Sequence, residues 1–303
     1  MNYAPIIIFA FNRLEPLKAT VASVLRNTEA AESDLYVFVD GARPNKEGEA
    51  EKVKAVQDYV RTISGFKSVT FSFSDANKGL GPSIIAGVTE VINQYGRAIV
   101  LEDDLVIARG FLSYMNTMLD LFEKDKRVMQ ISGYSSELHL PKSYPWDIYM
   151  SGRAHSWSWA TWMERWVTVD WEVKDFDQLA NDAKAIKAFN TFGSDLFGML
   201  KGWKERRNNS WYIRFNYAMH KQGQFCICPT KSLVRNDGFS AEATNCSTYN
   251  RYKIEFDAEH KGVFKTPAIP EALEPNVKLM KHAVRYWSIP YRIYGKIMTI
   301  LTK

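Results

Sequence analysis

The chain has 303 residues, 46% hydrophobic and 24% charged, enough to bury a full core, and this composition excludes a disordered, collagen-like or disulfide-stapled protein. Its formal charge is +5, yet no acidic residue follows Glu274, whereas Lys278, Lys281, Arg285, Arg292, Lys296 and Lys303 do. Residues 1–274 therefore hold 33 basic side chains against 34 acidic ones, which argues against a basic nucleic-acid-binding body, and no nucleic-acid partner is expected.

In chain order, the short apolar run Ile6–Phe11 lacks the basic start and cleavage site of a secretory signal and reads as a first strand. Leu14, Leu17, Val21, Val24 and Leu25 follow at helical spacing, with Pro16 near the helix start, where its missing N–H costs nothing. A second strand over Leu35–Val39 ends at Asp40-Gly41. A helix with Val53, Val56, Val60 and Ile63 on one face follows, then a third strand near Val69–Phe73. Ile84, Ile85, Val88, Val91, Ile92 and Tyr95 make another helical stripe over Pro82–Tyr95, and Ala98–Leu101 reads as a fourth strand. Strands alternating with helices predict an α/β fold with a mostly parallel sheet, which places ligands beyond the carboxyl ends of its strands. From about residue 145 the rhythm is lost, and five tryptophans fall between Trp157 and Trp171. The cysteines Cys226, Cys228 and Cys246 are odd in number and lack C-x-x-C spacing. They point to a reducing cytosol, with Cys226 and Cys228 on one face of a buried strand. No apolar stretch reaches 18 residues, so no lone membrane-spanning helix is expected.

The polar strand ends carry the chemistry. Glu102, Asp103 and Asp104 close the fourth strand, flanked by apolar residues. Adjacent carboxylates beside a core repel one another, and a divalent cation held by oxygen ligands, Mn²⁺ or Mg²⁺, compensates them. The alternative is a solvated acidic turn. Asp40 can accept from a nucleobase imide or a ribose hydroxyl, or can simply be a turn residue. Arg13, after the first strand, can clamp a diphosphate or stack on a base, or be an ordinary surface arginine. Asn77-Lys78-Gly79-Leu80-Gly81 opens a helix whose N–H groups can face an anion.

Together, Ile6–Arg13, Val37-Phe38-Val39-Asp40, the Asn77-Lys78-Gly79 helix start and Ala98–Asp104 resemble the donor-binding half of GT-A glycosyltransferases. The resemblance is to N-acetylglucosaminyltransferase I and to bacterial O-antigen and capsule polysaccharide glycosyltransferases with the same Glu-Asp-Asp form of the D-x-D motif, and it covers roughly residues 4–245. It implies a Rossmann-like GT-A fold and an enzyme that moves a sugar from a UDP-sugar to a glycan or lipid-linked acceptor, with inversion. It further implies that Asp40 reads the uracil, Arg13 contacts the nucleotide, Asp104 coordinates Mn²⁺, and Glu102 and Asp103 hold the ribose and sugar side.

In these relatives a Trp-Asp pair supplies the base, but the matching position reads Trp211-Tyr212. That leaves Trp211 as a donor contact and a phenol with a reference pKa near 10 where a base is needed. Asp237, in an Asp-Gly pair, is the substitute candidate base or merely a turn residue. Glu242 and Asp195 are weaker candidates. Trp157 and Trp159 are the rings expected at the acceptor and sugar side, although Trp159, Trp162 and Trp166 also recur as a core stripe would. His155 has no metal-ligand partner at a suitable spacing and reads as a satisfied structural histidine. Three regions follow: residues 1–135 binding the nucleotide sugar, residues 136–265 forming the mixed acceptor-side half of the same domain, and a basic, aromatic, helical tail over 266–303. That tail suits either an anionic membrane surface or docking on the body. A cytoplasmic protein is expected, peripheral on the inner membrane face if the tail binds lipid.

Two alternatives compete. A non-catalytic nucleotide-sugar or glycan-binding protein is motivated by Tyr212 and would bind donor without turnover. A sugar-1-phosphate nucleotidyltransferase is disfavoured because no Gly-rich basic phosphate loop follows the first strand.

Overall fold

Every residue of β1 (Ile6–Ala10) is buried, because the strand pairs in parallel on both edges and is covered on both faces. In the computed structural model, which describes residues 3–239, 249–262, 264–266 and 268–301, this strand anchors a βα succession. The succession comprises α1 (Leu14–Leu25), β2 (Asp34–Val39), α2 (Glu49–Val60), β3 (Ser68–Phe73), α3 (Leu80–Tyr95) and β4 (Arg97–Glu102). Next come β5 (Leu105–Ile107), α4 (Phe111–Phe122), β6 (Val128–Ser132), β7 (Ile148–Ser151), β8 (Trp159–Trp162) and α5 (Met163–Trp166). The chain continues through α6 (Phe176–Ala180), α7 (Ala183–Phe189), α8 (Leu196–Lys204), α9 (Trp211–Lys221), β9 (Phe225–Pro229) and β10 (Val234–Asn236). It closes with α10 (Val277–Ala283) and α11 (Ile289–Leu301).

Eight strands form one sheet in the order β3-β2-β1-β4-β8-β6-β9-β7, and β10 pairs with β5 in a separate ribbon. Strands β3, β2, β1 and β4 run parallel. The chain winds outward from β1 to β3 and then returns to the other side of β1 with β4. This reversal opens a crevice at the carboxyl ends of β1 and β4, where Phe9 lies opposite Glu102.

Side-chain alternation along each strand divides the core into two layers. Ile6, Ile8, Leu35 and Val37 join Leu17, Val21 and Val24 of α1 and Val53, Val56 and Val60 of α2 on one side. Ile7, Phe9 and Tyr36 join Ile84, Val88 and Val91 of α3 on the other. The four expected strands appear with ends displaced by at most one residue, and the helices between them by at most two, except that α2 closes at Val60, three residues short of the expected Ile63.

Beyond residue 135 the sheet continues. Strand β8 inserts antiparallel between β4 and β6, so the two expected halves share one sheet. The tryptophan stretch that reads at helical spacing is this strand followed by a single helical turn. Trp159 and Trp162 consequently lie in opposite core layers. Cys226 and Cys228 are both buried on β9 with sulfurs 3.7 Å apart; Cys246 lies outside the described residues. No helix among the described residues is long and apolar enough to cross a membrane.

Trp159 corrects one expectation. It is 1% exposed, stacks on Trp166 at 5.7 Å and on Trp211 at 4.7 Å, and is a core ring with no face left for a sugar. Trp159→Ala should cost about 3–5 kcal/mol of stability, measured by urea unfolding. Unchanged stability with impaired ligand binding would return Trp159 to the acceptor side.

Candidate active site

Arg13 enters the crevice from the turn after β1 and meets the carboxylates at the end of β4. Its Nη2 donates to Asp103 Oδ1 and, at 2.8 Å, to Asp104 Oδ2. Burial works against its charge, but Asp103 and Asp104 outweigh that and hold its pKa above the ordinary arginine value. The same crowding acts on the acids in the opposite sense. Burial, reinforced by Asp104 and Asp103, pushes Glu102 up to about 8. Burial also carries Asp103 to about 6 against the pull of Arg13. One guanidinium therefore does not neutralise three adjacent acids, and the site retains capacity for further positive charge.

Asp104 Oδ1 is buried with no hydrogen-bond partner among the described residues. The Oδ2 atom is pressed against Gly238, where a Cβ would come within 1.9 Å of it. Among the described residues no three His, Cys, Asp or Glu side chains form a metal cluster. Mg²⁺ and Mn²⁺ are commonly held by only one or two carboxylates together with substrate phosphates. An unpartnered carboxylate oxygen at a strand end fits that mode.

Asp40 and the loop opening α3, two separate features of the sequence, are partners. Asp40 Oδ1 accepts from Lys78 N at 2.9 Å and from Gly41 N at 3.0 Å, and Oδ2 accepts from Gly79 N at 2.9 Å. The N–H groups expected to face a ligand anion face this internal carboxylate instead. Gly79 has φ +77°, and a Cβ there would meet Asn209 Nδ2 at 2.5 Å; a Cβ on Gly81 would meet the Asn209 carbonyl at 1.9 Å. Glycines at both positions let the residue 208–210 loop pack directly on this helix start.

These groups line two joined clefts. The first, about 230 Å³, is walled by Phe38, Asp40, Arg43 and Gly79, with Glu102 and Asp103 at one end. The second, about 480 Å³, shares Arg13, Gly79, Leu80 and Glu102 with the first and adds Asp104, Trp157, Trp211 and Tyr212. A third cavity of about 350 Å³ shares Trp157 and Tyr212 with the second and is closed by Arg153, Asp195, Tyr252 and Trp287. Trp157 thus stands at the passage between the second and third, edge-on to Tyr134, Phe239 and Tyr252.

Two expected site residues are placed differently. Asp237 is paired through both oxygens with Arg235, at 2.6 and 2.8 Å, and lines none of the three cavities. An exposed i,i+2 ion pair draws it away from the cleft that its neighbours Asn236 and Gly238 border. Tyr212 does border the cleft, but its hydroxyl donates to the Ala154 carbonyl at 3.0 Å and accepts from Arg153 Nε at 2.8 Å. Burial carries its pKa to about 12, so it is not a base near neutral pH. His155 is buried with Nε2 lacking a partner among the described residues, unlike the satisfied histidine expected. Glu242 lies outside the described residues.

Sequence reasoning missed Arg43 and Arg153. Arg43 Nε donates to both oxygens of Glu49 at 3.1 and 2.9 Å, and its guanidinium lies 5.5 Å from the centre of the Phe11 ring. Arg153 is buried and forms a two-pronged pair with Asp195, both contacts at 2.9 Å. Burial works to raise Asp195, yet Arg153 outweighs it and leaves the carboxyl below its usual range. No local pattern signals either pair; Arg153 and Asp195 are brought together only by the fold.

The GNT-I family profile matches residues 1–170, the segment that holds Arg13, Asp40 and the carboxylate run. The chain belongs to the GNT-I family. That family is one of GT-A glycosyltransferases, and the match spans the whole of the first cleft. No curated protein sequence matches the chain. Among solved structures it is similar to TarS of S. aureus, at 9% identity and TM-score 0.41, over 76% of this chain and 36% of that one. It is likewise similar to TarS residues 1–349, at 10% identity and TM-score 0.41, over 76% of this chain and 59% of that one. The GNT-I chain therefore spans less than two thirds of the length of either structure.

Asp40→Ala removes the acceptors for Lys78 and Gly79 N–H and should cost about 1–3 kcal/mol, with faster amide exchange at these residues. Wild-type exchange in the variant would show that the loop is held by other contacts.

Proposed function

We propose that the chain transfers a sugar from a UDP-sugar to a hydroxyl of a surface polysaccharide or lipid-linked oligosaccharide, with inversion at the anomeric carbon. The observation that carries this reading is the unpartnered buried oxygen of Asp104 beside Arg13, at the mouth shared by the first two clefts. The first cleft takes the nucleoside, with Asp40 presented to the uracil from the loop it holds. Arg13 and the end of β4 take the diphosphate, Glu102 and Asp103 border the ribose and sugar, and Trp211 stands beside the donor.

Asp104 would hold Mn²⁺ or Mg²⁺, which when bound supplies positive charge to the leaving diphosphate. The protein's own residues orient the donor, and the passage at Trp157 admits the acceptor from the third cavity. Deprotonating the acceptor needs a base. With Tyr212 locked and Asp237 outside the cavities, we assign that role to Asp195, the carboxylate that lines the third cavity. Arg153 keeps it ionised and fixed. The work is done on the cytoplasmic side of a membrane.

Asp104→Ala should abolish the Mn²⁺-dependent part of UDP binding by calorimetry; unchanged affinity with and without Mn²⁺ would sink the metal assignment. In a transfer assay with a panel of UDP-sugars, Asp195→Asn should lower kcat by roughly 100-fold or more while leaving donor KM near wild type. A donor KM that rises with kcat unchanged would make Asp195 a binding residue instead.

A further inference from the structure

Helix α11 lies on the protein with its apolar side outward. Ile289, Ile293, Ile297 and Ile300 recur at intervals of four, four and three residues, with Leu301 following on, and so occupy one face. Their exposures are 60%, 54%, 50%, 76% and 73%. The opposite face makes the contacts with the body. Gly295 is its one buried residue, so close to Arg251 that a Cβ would meet that side chain's Cδ at 3.0 Å. Thr299 Oγ1 accepts from Tyr249 N at 3.0 Å, and Arg292 Nη1 donates to Ser194 Oγ at 3.2 Å. Docking on the body therefore uses the small and polar face and leaves the aliphatic stripe without a partner among the described residues.

The surroundings of the stripe indicate what covers it. Lys296 is exposed beside it, Tyr291 and Tyr294 are exposed at its margins, and Lys278 and Lys281 are exposed on α10. No acidic residue occurs anywhere after Glu274. An aliphatic stripe whose own segment supplies tyrosines and cations and no carboxylate matches the layering of an anionic lipid surface, in which acyl chains lie beneath negative headgroups. A protein partner would supply acids as readily as apolar groups and would not require a segment free of carboxylates.

We propose that the outward face of α11 inserts into the headgroup boundary of an anionic membrane, holding the enzyme flat against it. This deepens the proposed placement beside a membrane acceptor but is tested without donor or acceptor, so either reading can fail alone. Full-length protein should float with vesicles of phosphatidylcholine containing about 30% phosphatidylglycerol, and binding should fall at least several-fold on pure phosphatidylcholine and in high salt. Ile293→Glu with Ile297→Glu should lower flotation by about tenfold or more while the melting temperature stays near wild type, because both side chains point to solvent. Lys278→Glu with Lys281→Glu should erase the preference for phosphatidylglycerol. Failure of the wild type to float overturns the proposal, as does equal flotation of the isoleucine variant. A wild-type dimer in light scattering that the same variant dissociates, without vesicle binding, would assign the stripe to a second copy of the chain and overturn it equally.

Discussion

Charge crowding at the end of β4 is the constraint around which the site is organised. Three successive carboxylates cannot be desolvated together at little cost, and the fold places one cation, Arg13, against two of them. Because Arg13 follows β1 and the acids follow β4, this contact spans the point where the strand order reverses. The contact therefore positions the cleft and leaves it electrostatically incomplete, with Glu102 and Asp103 both displaced from their ordinary range. A site in that condition favours a ligand that brings positive charge.

How much of this was legible in the sequence depends on how local each cause is. Strands β1, β2 and β4 announce themselves because they are buried almost throughout and appear as nearly unbroken apolar runs, whereas the exposed edge strand β3 shows instead the alternation of Val69, Phe71 and Phe73 with polar residues. Their carboxyl-end residues Arg13, Asp40, Glu102, Asp103 and Asp104 followed from the same pattern. The second half was less readable. Strand β8 carries tryptophans three residues apart, a spacing that fits a helix as well as a strand, and only the antiparallel slot between β4 and β6 decides between them. That slot is a tertiary fact.

The base is illegible for a related reason. Tyr212 stands where an acid was expected, and its fate depends on Arg153, 59 residues earlier, which also holds Asp195, 42 residues later. Sequence proximity favoured Asp237, but it turns to solvent beside Arg235 and lines none of the cavities. Whether a carboxylate reaches a cavity is set by the fold, and such placement has no local signature.

The packing of Asn209 on Gly79 and Gly81 has a consequence for how this scaffold diversifies. The wall of the first cleft and the entry to α9 meet at Asn209, whose side chain sits on Gly79 and whose carbonyl sits on Gly81. A side chain added at either glycine would push the two segments apart together. The width of this cleft is accordingly set at a joint between two distant segments rather than by any single lining residue.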